Sequence, residues 1–271
     1  TGPGVPYEIV VCDDSGNRDH RARVRTACER YGAKYIEHER NSGVAASWNS
    51  LVRANTREVS VLLNDDVLVA PDWLDYLHYA ITENPKIGSC SLNCRFISAE
   101  DAPKIVSGRD AKVIPLNVRY ENGVLIRNER FPSMPPQEDG YPGRVMCPAG
   151  CAFGFLRETY DQIGGFDQRY FAFYEETDFG VACAYRGMPA MTIPVPHDNY
   201  HIWSATFGSA PELPAAQIMV DSRNKFVEKW SRILGVPFQD APEIHPLLMD
   251  KIPPLSVRWL GVGKVRRQET L

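Results

Sequence analysis

Apolar residues in this chain come in short β-branched runs that end in polar loops, alternating with stretches whose apolar positions recur every three or four residues. The first run, Tyr7 to Cys12, ends at Asp13-Asp14-Ser15-Gly16-Asn17 and predicts a buried strand, followed by a helix from Asp19 to Tyr31. A second strand, Ala33 to Glu37, leads into Arg40-Asn41-Ser42-Gly43, after which Val44, Trp48, Leu51 and Val52 recur at helical spacing. Val59 to Leu63 predicts a third strand and delivers Asn64, Asp65 and Asp66 to its carboxyl end. Pro71 suits the first turn of a helix burying Trp73, Leu74, Leu77 and Ile81, with Asn84-Pro85 as the stop and Ile87 to Leu92 as a fourth strand. This alternation predicts βαβ units in an α/β fold, a Rossmann-type, mainly parallel sheet flanked by helices. Ligands then gather at the carboxyl ends of the strands.

The pattern weakens from Arg95 to Gly143, where Pro103, Pro115, Pro132, Pro135, Pro136 and Pro142 break any long element and predict an irregular insertion with hairpin character. Regularity returns with Val145 to Leu156, a helix from Arg157 to Ile163, the turn Gly164-Gly165, a helix from Glu175 to Arg186 and a strand from Ala190 to Val195. His197 to Ala210 is expected to be loop, and Pro214 to Trp230 a helix with Met219, Phe226, Val227 and Trp230 on one face. The chain thus divides into residues 1–94, an insertion at 95–144, a second half at 145–235 and a proline-rich tail at 236–271.

Composition narrows the classes. The 271 residues are 44% apolar and 24% charged, with 34 acidic against 30 basic side chains, which excludes a disordered chain and gives no nucleic-acid-binding surface. No apolar run approaches the roughly 20 residues that span a bilayer, and Thr1-Gly2-Pro3-Gly4 carries no signal-peptide pattern. Seven cysteines without a CxxC pair fit a reduced, cytoplasmic setting, and Cys90/Cys94 and Cys147/Cys151 read as small core residues. Arg258, Lys264, Arg266 and Arg267 in the tail allow peripheral contact with anionic lipid or another subunit of a homo-oligomer, or a solvated end.

Three clusters can carry chemistry. Asn64-Asp65-Asp66 at a strand mouth offers hard oxygen ligands for Mg²⁺ or Mn²⁺, which take one or two carboxylates plus phosphate oxygens; the alternative is a solvated, capped turn. In Phe171-Ala172-Phe173-Tyr174-Glu175-Glu176-Thr177-Asp178, acids follow an aromatic stretch. They either complement a helix dipole or include a desolvated general base. His197 and His201 lie beside Pro194 and Pro196, which argues for loop and against a helical zinc pair, but a single histidine can complete a metal site begun by Asp66. Arg40-Asn41-Ser42-Gly43 can place donors near a phosphate at a helix start, or serve as ordinary helix entry.

Taken in order, these segments resemble the family-2 inverting glycosyltransferases with the GT-A fold, from Tyr7 to Phe207. "EIVVCDDSGNRD" resembles the strand and acidic loop that hold the nucleotide base, and "ERNSGVAASWNSLV" the Asn-x-Gly helix entry. "VLLNDDVLV" is similar to the DxD-type element with Asn64 in its first position. "CPAGCAFGFLRETYDQIGGFDQRYFAFYEETDFGVACAYRG" resembles the acceptor-side segment, and "HIWSATF" a later histidine segment that favours His201 over His197. The resemblance implies nucleotide contacts from Asp13, Asp14, Asn41, Gly43, Asn49 and Asp65. It also implies a metal held by Asp66 with Asn64 and His201, and acceptor contacts from Trp203 and Gly150. Glu176 maps onto the catalytic base, with Glu where Asp is commoner, and Glu175 and Asp178 onto orienting acids. Residues 1–94 become the nucleotide-sugar half and 145–235 the acceptor and catalytic half, with an expected first strand missing before Tyr7. The implied activity is metal-assisted, inverting transfer of a sugar from a nucleotide-diphosphate sugar to a hydroxyl on a glycan, lipid-linked or small-molecule acceptor. The alternatives are a non-catalytic nucleotide- or glycan-binding module, a nucleotidyltransferase and, last, a zinc hydrolase.

Overall fold

The computed structural model describes residues 4–92, 94–108, 113–114, 118–121, 124–127, 143–145, 148–193, 195, 198–202 and 214–235. The N-terminal half runs β1 (Val10–Asp13), α1 (Arg18–Tyr31), β2 (Lys34–Glu37), α2 (Val44–Ala54), β3 (Val59–Leu63), β4 (Val67–Leu68), α3 (Trp73–Thr82) and β5 (Ser89–Leu92). These follow the predicted pattern closely. Asn17 starts α1 by accepting from the His20 N–H at 3.0 Å, and Gly32, with φ of 69°, ends it in the left-handed region.

The later half holds β6 (Cys94–Ile97), α4 (Ala102–Val106), β7 (Val113–Ile114), β8 (Val118–Glu121), β9 (Val124–Arg127), β10 (Gly143–Val145), β11 (Ala152–Leu156), α5 (Arg157–Ile163), α6 (Glu175–Tyr185), β12 (Ala190–Ile193), β13 (Asn199–Ile202) and α7 (Ala215–Leu234). β8 and β9 form an antiparallel hairpin within the expected insertion. The 94/95 boundary falls inside β6, which pairs in parallel with β13, so the insertion begins as part of a sheet. Trp203, His197, Cys147 and the basic tail lie outside the described residues.

Two expectations give way. The sheet is mixed instead of mainly parallel: β1 and β2 pair in parallel, while the five-stranded sheet has the order β10-β12-β5-β11-β3 with β11 antiparallel to both neighbours. The reason is connectivity, since β11 arrives from the long insertion and not through a helical crossover. The stretch from His197, expected to be loop, contains β13, which lies inside a four-stranded sheet, antiparallel to β4 and parallel to β6.

The core lies on both faces of the five-stranded sheet. One cluster packs Leu77, Ile81, Leu92, Met191 and Ile193, and the other packs Trp48, Val52, Leu62, Phe153, Phe155, Phe166 and Phe179. Trp48 meets Phe166 edge-on at 5.1 Å, so α2 is fastened to the segment that follows α5. A third cluster seats Phe226 and Trp230 of α7 against Tyr170 and Val181.

Candidate active site

β3 ends at Leu63, and its register with β11 puts the Asn64 N–H 2.9 Å from the Cys151 carbonyl. Asp65 is exposed at the following turn, and Asp66 turns back inward. The Ile202 N–H donates to the Asp66 carbonyl at 2.9 Å, and β13 pairs His201 opposite Val67. This backbone pairing carries the His201 ring to the carboxylate, with Nε2 3.1 Å from Asp66 Oδ1. Asp66 Oδ1 and His201 Nδ1 are buried atoms without a hydrogen-bond partner among the described residues. Burial by itself would lower the imidazole's proton affinity, but the Asp66 carboxylate and Cys151 thiol beside it push its pKa up to about 10.

A buried carboxylate oxygen whose close neighbour is an imidazole 3.1 Å away fits a divalent cation, which would replace the imidazole's proton. Among the described residues no group of three or more His, Cys, Asp or Glu side chains is arranged around a metal position, so substrate phosphates would have to supply further ligands. Asn64 is half-buried beside Asp66 and offers an amide oxygen.

The acids of α6 lie next to this triplet. Gly150 precedes Cys151, and a Cβ at 150 would stand 3.1 Å from Glu176 Cγ and 3.2 Å from its Cδ. Gly150 and Cys151 therefore touch Glu176 and Asn64 respectively, and a side chain at 150 would press on Glu176. Glu176 is half-buried, whereas Glu175 is buried at 7% exposure with Oε2 unpartnered among the described residues. Desolvation, then the charge of Glu176, raises the Glu175 pKa well above the usual carboxylate range. Phe173 and Tyr174, with φ of 66° and 70°, hold two consecutive left-handed conformations before α6, a backbone strain kept by the surrounding packing.

A family model described as glycosyl transferase family 2 matches residues 3–164. The chain belongs to that family. Among solved structures it is similar to GalNAc-T7 with UDP, GalNAc and Mn²⁺, at 18% identity and a TM-score of 0.58, over 90% of this chain and 48% of that one. It is also similar to the mannosyltransferase PcManGT of Pyrobaculum calidifontis in complex with GDP-Man and Mn²⁺, at 19% identity and a TM-score of 0.54, over 89% of this chain and 59% of that one. The chain thus spans roughly half the length of the first and under two thirds of the second, and the likeness establishes the GT-A fold. No curated protein matches it by sequence.

Within this family 2 chain, several residues expected to bind ligand have other work. Asn49 is buried and spends its amide on the protein: Nδ2 donates to the Phe166 carbonyl at 2.8 Å, while Oδ1 accepts from the Phe166 N–H at 2.9 Å and the Tyr160 hydroxyl at 2.7 Å. Asp178, expected near the chemistry, is buried and accepts from Lys229 Nζ at 2.6 Å, Trp230 Nε1 at 2.9 Å and the Tyr170 hydroxyl at 3.3 Å. It anchors α7 to α6. Asp14 accepts from the Ser42 and Gly43 N–H groups at 2.8 Å each, and so pins the Asn41-Ser42-Gly43 turn instead of facing outward.

Asp13 is 4% exposed with Oδ1 accepting from the Ser15 N–H at 2.9 Å. Its Oδ2 has looser neighbours, the Tyr35 hydroxyl at 3.5 Å and His20 Nε2 at 3.9 Å, and the side chain is enclosed beneath them. Asn41 is exposed, and its Oδ1 also accepts from the Gly43 N–H at 3.1 Å. Gly43 has φ of 89°, and a Cβ there would lie 2.4 Å from the Phe171 carbonyl oxygen. The Val44 N–H donates to that oxygen at 2.7 Å. The turn at the start of α2 thereby docks on the strand of residues leading to Glu175 and Glu176. The sequence reading missed His38, Lys229 and the Phe171 carbonyl; only His38, polar and just beyond a strand's carboxyl end, carried a local signal.

Proposed function

We propose that this chain is an inverting glycosyltransferase, moving a sugar from a nucleotide-diphosphate sugar to an acceptor hydroxyl. The observation that carries the reading is the Gly150-Cys151 step, which sets Glu176 beside the triplet ending in Asp66. A base for the acceptor and a place for a charged leaving group are then neighbours. Asp66, with His201 and Asn64, would hold Mn²⁺ or Mg²⁺. Such an ion, when bound, neutralises charge growing on the departing diphosphate. A Glu176 oxygen accepts the acceptor hydroxyl's proton as the new glycosidic bond forms, so attack and departure occupy opposite faces of the sugar and the anomeric centre inverts. Glu175, whose pKa burial and the Glu176 charge raise, lies enclosed behind it, and the half-buried Glu176 is the acid within reach of a ligand. Asp13, at the carboxyl end of β1, is assigned to the nucleotide side by the resemblance, and Gly150 leaves room for the Glu176 side chain. UDP and GDP-Man with Mn²⁺ in the two similar structures support a nucleotide-sugar donor.

The test is release of nucleoside diphosphate from a panel of UDP- and GDP-linked sugars, with Mn²⁺, Mg²⁺ or chelator. We expect metal-dependent turnover, lowered about a hundred- to ten-thousand-fold in Glu176→Gln and strongly reduced in Asp66→Ala. Turnover indifferent to chelator, or full activity in both variants, would overturn the reading.

A further inference from the structure

His38 lies one residue beyond β2 and joins three elements. Its Nδ1 is 2.7 Å from Asp14 Oδ1 and its Nε2 is 2.9 Å from Ser50 Oγ on α2, with Cys12 Sγ 3.9 Å from the same nitrogen. Its carbonyl accepts from the Arg21 guanidinium on α1. The His38 and Asp14 side chains are only 19% and 17% exposed, so the pair is partly desolvated and its geometry is held. With Nδ1–H donating to the carboxylate, Nε2 is the acceptor and the Ser50 hydroxyl the donor.

A carboxylate, an imidazole and a hydroxyl in line resemble a nucleophile relay. Ser50 Oγ also receives Arg53 Nη2 at 3.3 Å, and donation from a guanidinium draws electron density from that oxygen. The line therefore works in the other direction, toward Asp14. Both Asp14 oxygens hold N–H groups of the Ser42-Gly43 turn, Gly43 lies against Phe171, and the Val44 N–H reaches the Phe171 carbonyl four residues before Glu175. A rotation of the Asp14 carboxylate would release the turn and the contact with Phe171 together.

We propose that His38 is a positioning residue that orients Asp14 and so fixes the turn at the start of α2 for nucleoside diphosphate binding. The binding half of this inference rests on the donor class proposed above; the orienting half does not. The experiment compares His38→Ala, His38→Asn and His38→Gln in the full chain, by hydrogen exchange at the Ser42 and Gly43 amides and by calorimetry with UDP or GDP plus Mn²⁺. His38→Ala is expected to speed exchange at both amides at least tenfold while Phe153 in β11 keeps its protection, and to weaken nucleotide binding about tenfold. Asn, whose amide N–H can replace Nδ1, is expected to restore both readouts, and Gln, which reaches instead toward Ser50, to restore neither. Unchanged exchange in His38→Ala, equal rescue by Asn and Gln, or loosened amides with unchanged nucleotide affinity would each overturn the inference. If the parent chain binds neither nucleotide, the donor reading fails, and the exchange data alone decide whether His38 orients Asp14.

Discussion

Glu175 and Glu176 share a peptide bond, yet one is enclosed in protein and the other stands half-exposed against Gly150. Chain direction explains it: two left-handed residues swing the entry of α6 so that Glu175 faces inward. Its folded pKa is raised, so its contribution to stability is complete below the unfolded carboxyl value near 4.5 and is lost as pH rises toward the folded one. The loss approaches about 1.4 kcal/mol per pH unit. Glu175→Gln removes the dependence. We expect its Tm to match the parent at pH 4 and to exceed it progressively as pH rises, by roughly 3 °C per pH unit until the folded value is passed. A constant gap across that range in a thermal melt would contradict a neutral buried carboxyl. Residue pattern placed acids at a helix start and the resemblance assigned them different roles, but neither carried their difference in burial, which accompanies conformations at Phe173 and Tyr174 that are rare for their residue types.

α7 illustrates what periodicity can and cannot reveal. Its apolar face was read from Met219, Phe226, Val227 and Trp230; Phe226 and Trp230 are buried, while Met219 is 38% exposed. Its polar attachment was not legible, since Lys229 reaches Asp178 at 2.6 Å and Asp167 at 3.1 Å across more than fifty residues of sequence. Such pairs exist only once the chain has closed. Lys229→Met would leave the buried Asp178 without its cation, while Asp167 keeps Arg169 at 2.6 Å, and should destabilise the fold by about 3–5 kcal/mol. Chemical denaturation measures this; a change under 1 kcal/mol would mean that Trp230 and the Tyr170 hydroxyl suffice to hold Asp178. β13 was hidden for a related reason, its short strand being stabilised by β4 and β6 on either side more than by its own residues.

The α/β layering of the molecule was readable because buried strands leave unbroken apolar runs. Strand direction was not, because an apolar run reads the same in either sense. The Asp66–His201 pairing was anticipated by resemblance and is realised through a sheet contact that no local pattern predicts. One further property follows from the strand order. Among the described residues, β3 pairs only with β11, and β1 only with β2. Among those residues each has one side without a strand partner, and Tyr7, Ile9 and Leu63 stand exposed at 51%, 47% and 39% near those sides. Open edges beside apolar side chains are templates for pairing between molecules. Light scattering should therefore rise with protein concentration, and Ile9→Lys should suppress it without lowering Tm by more than a few degrees. The colloidal behaviour of the protein would then be set at these two strand margins, whose carboxyl ends carry Asp13 and the Asn64-Asp65-Asp66 triplet.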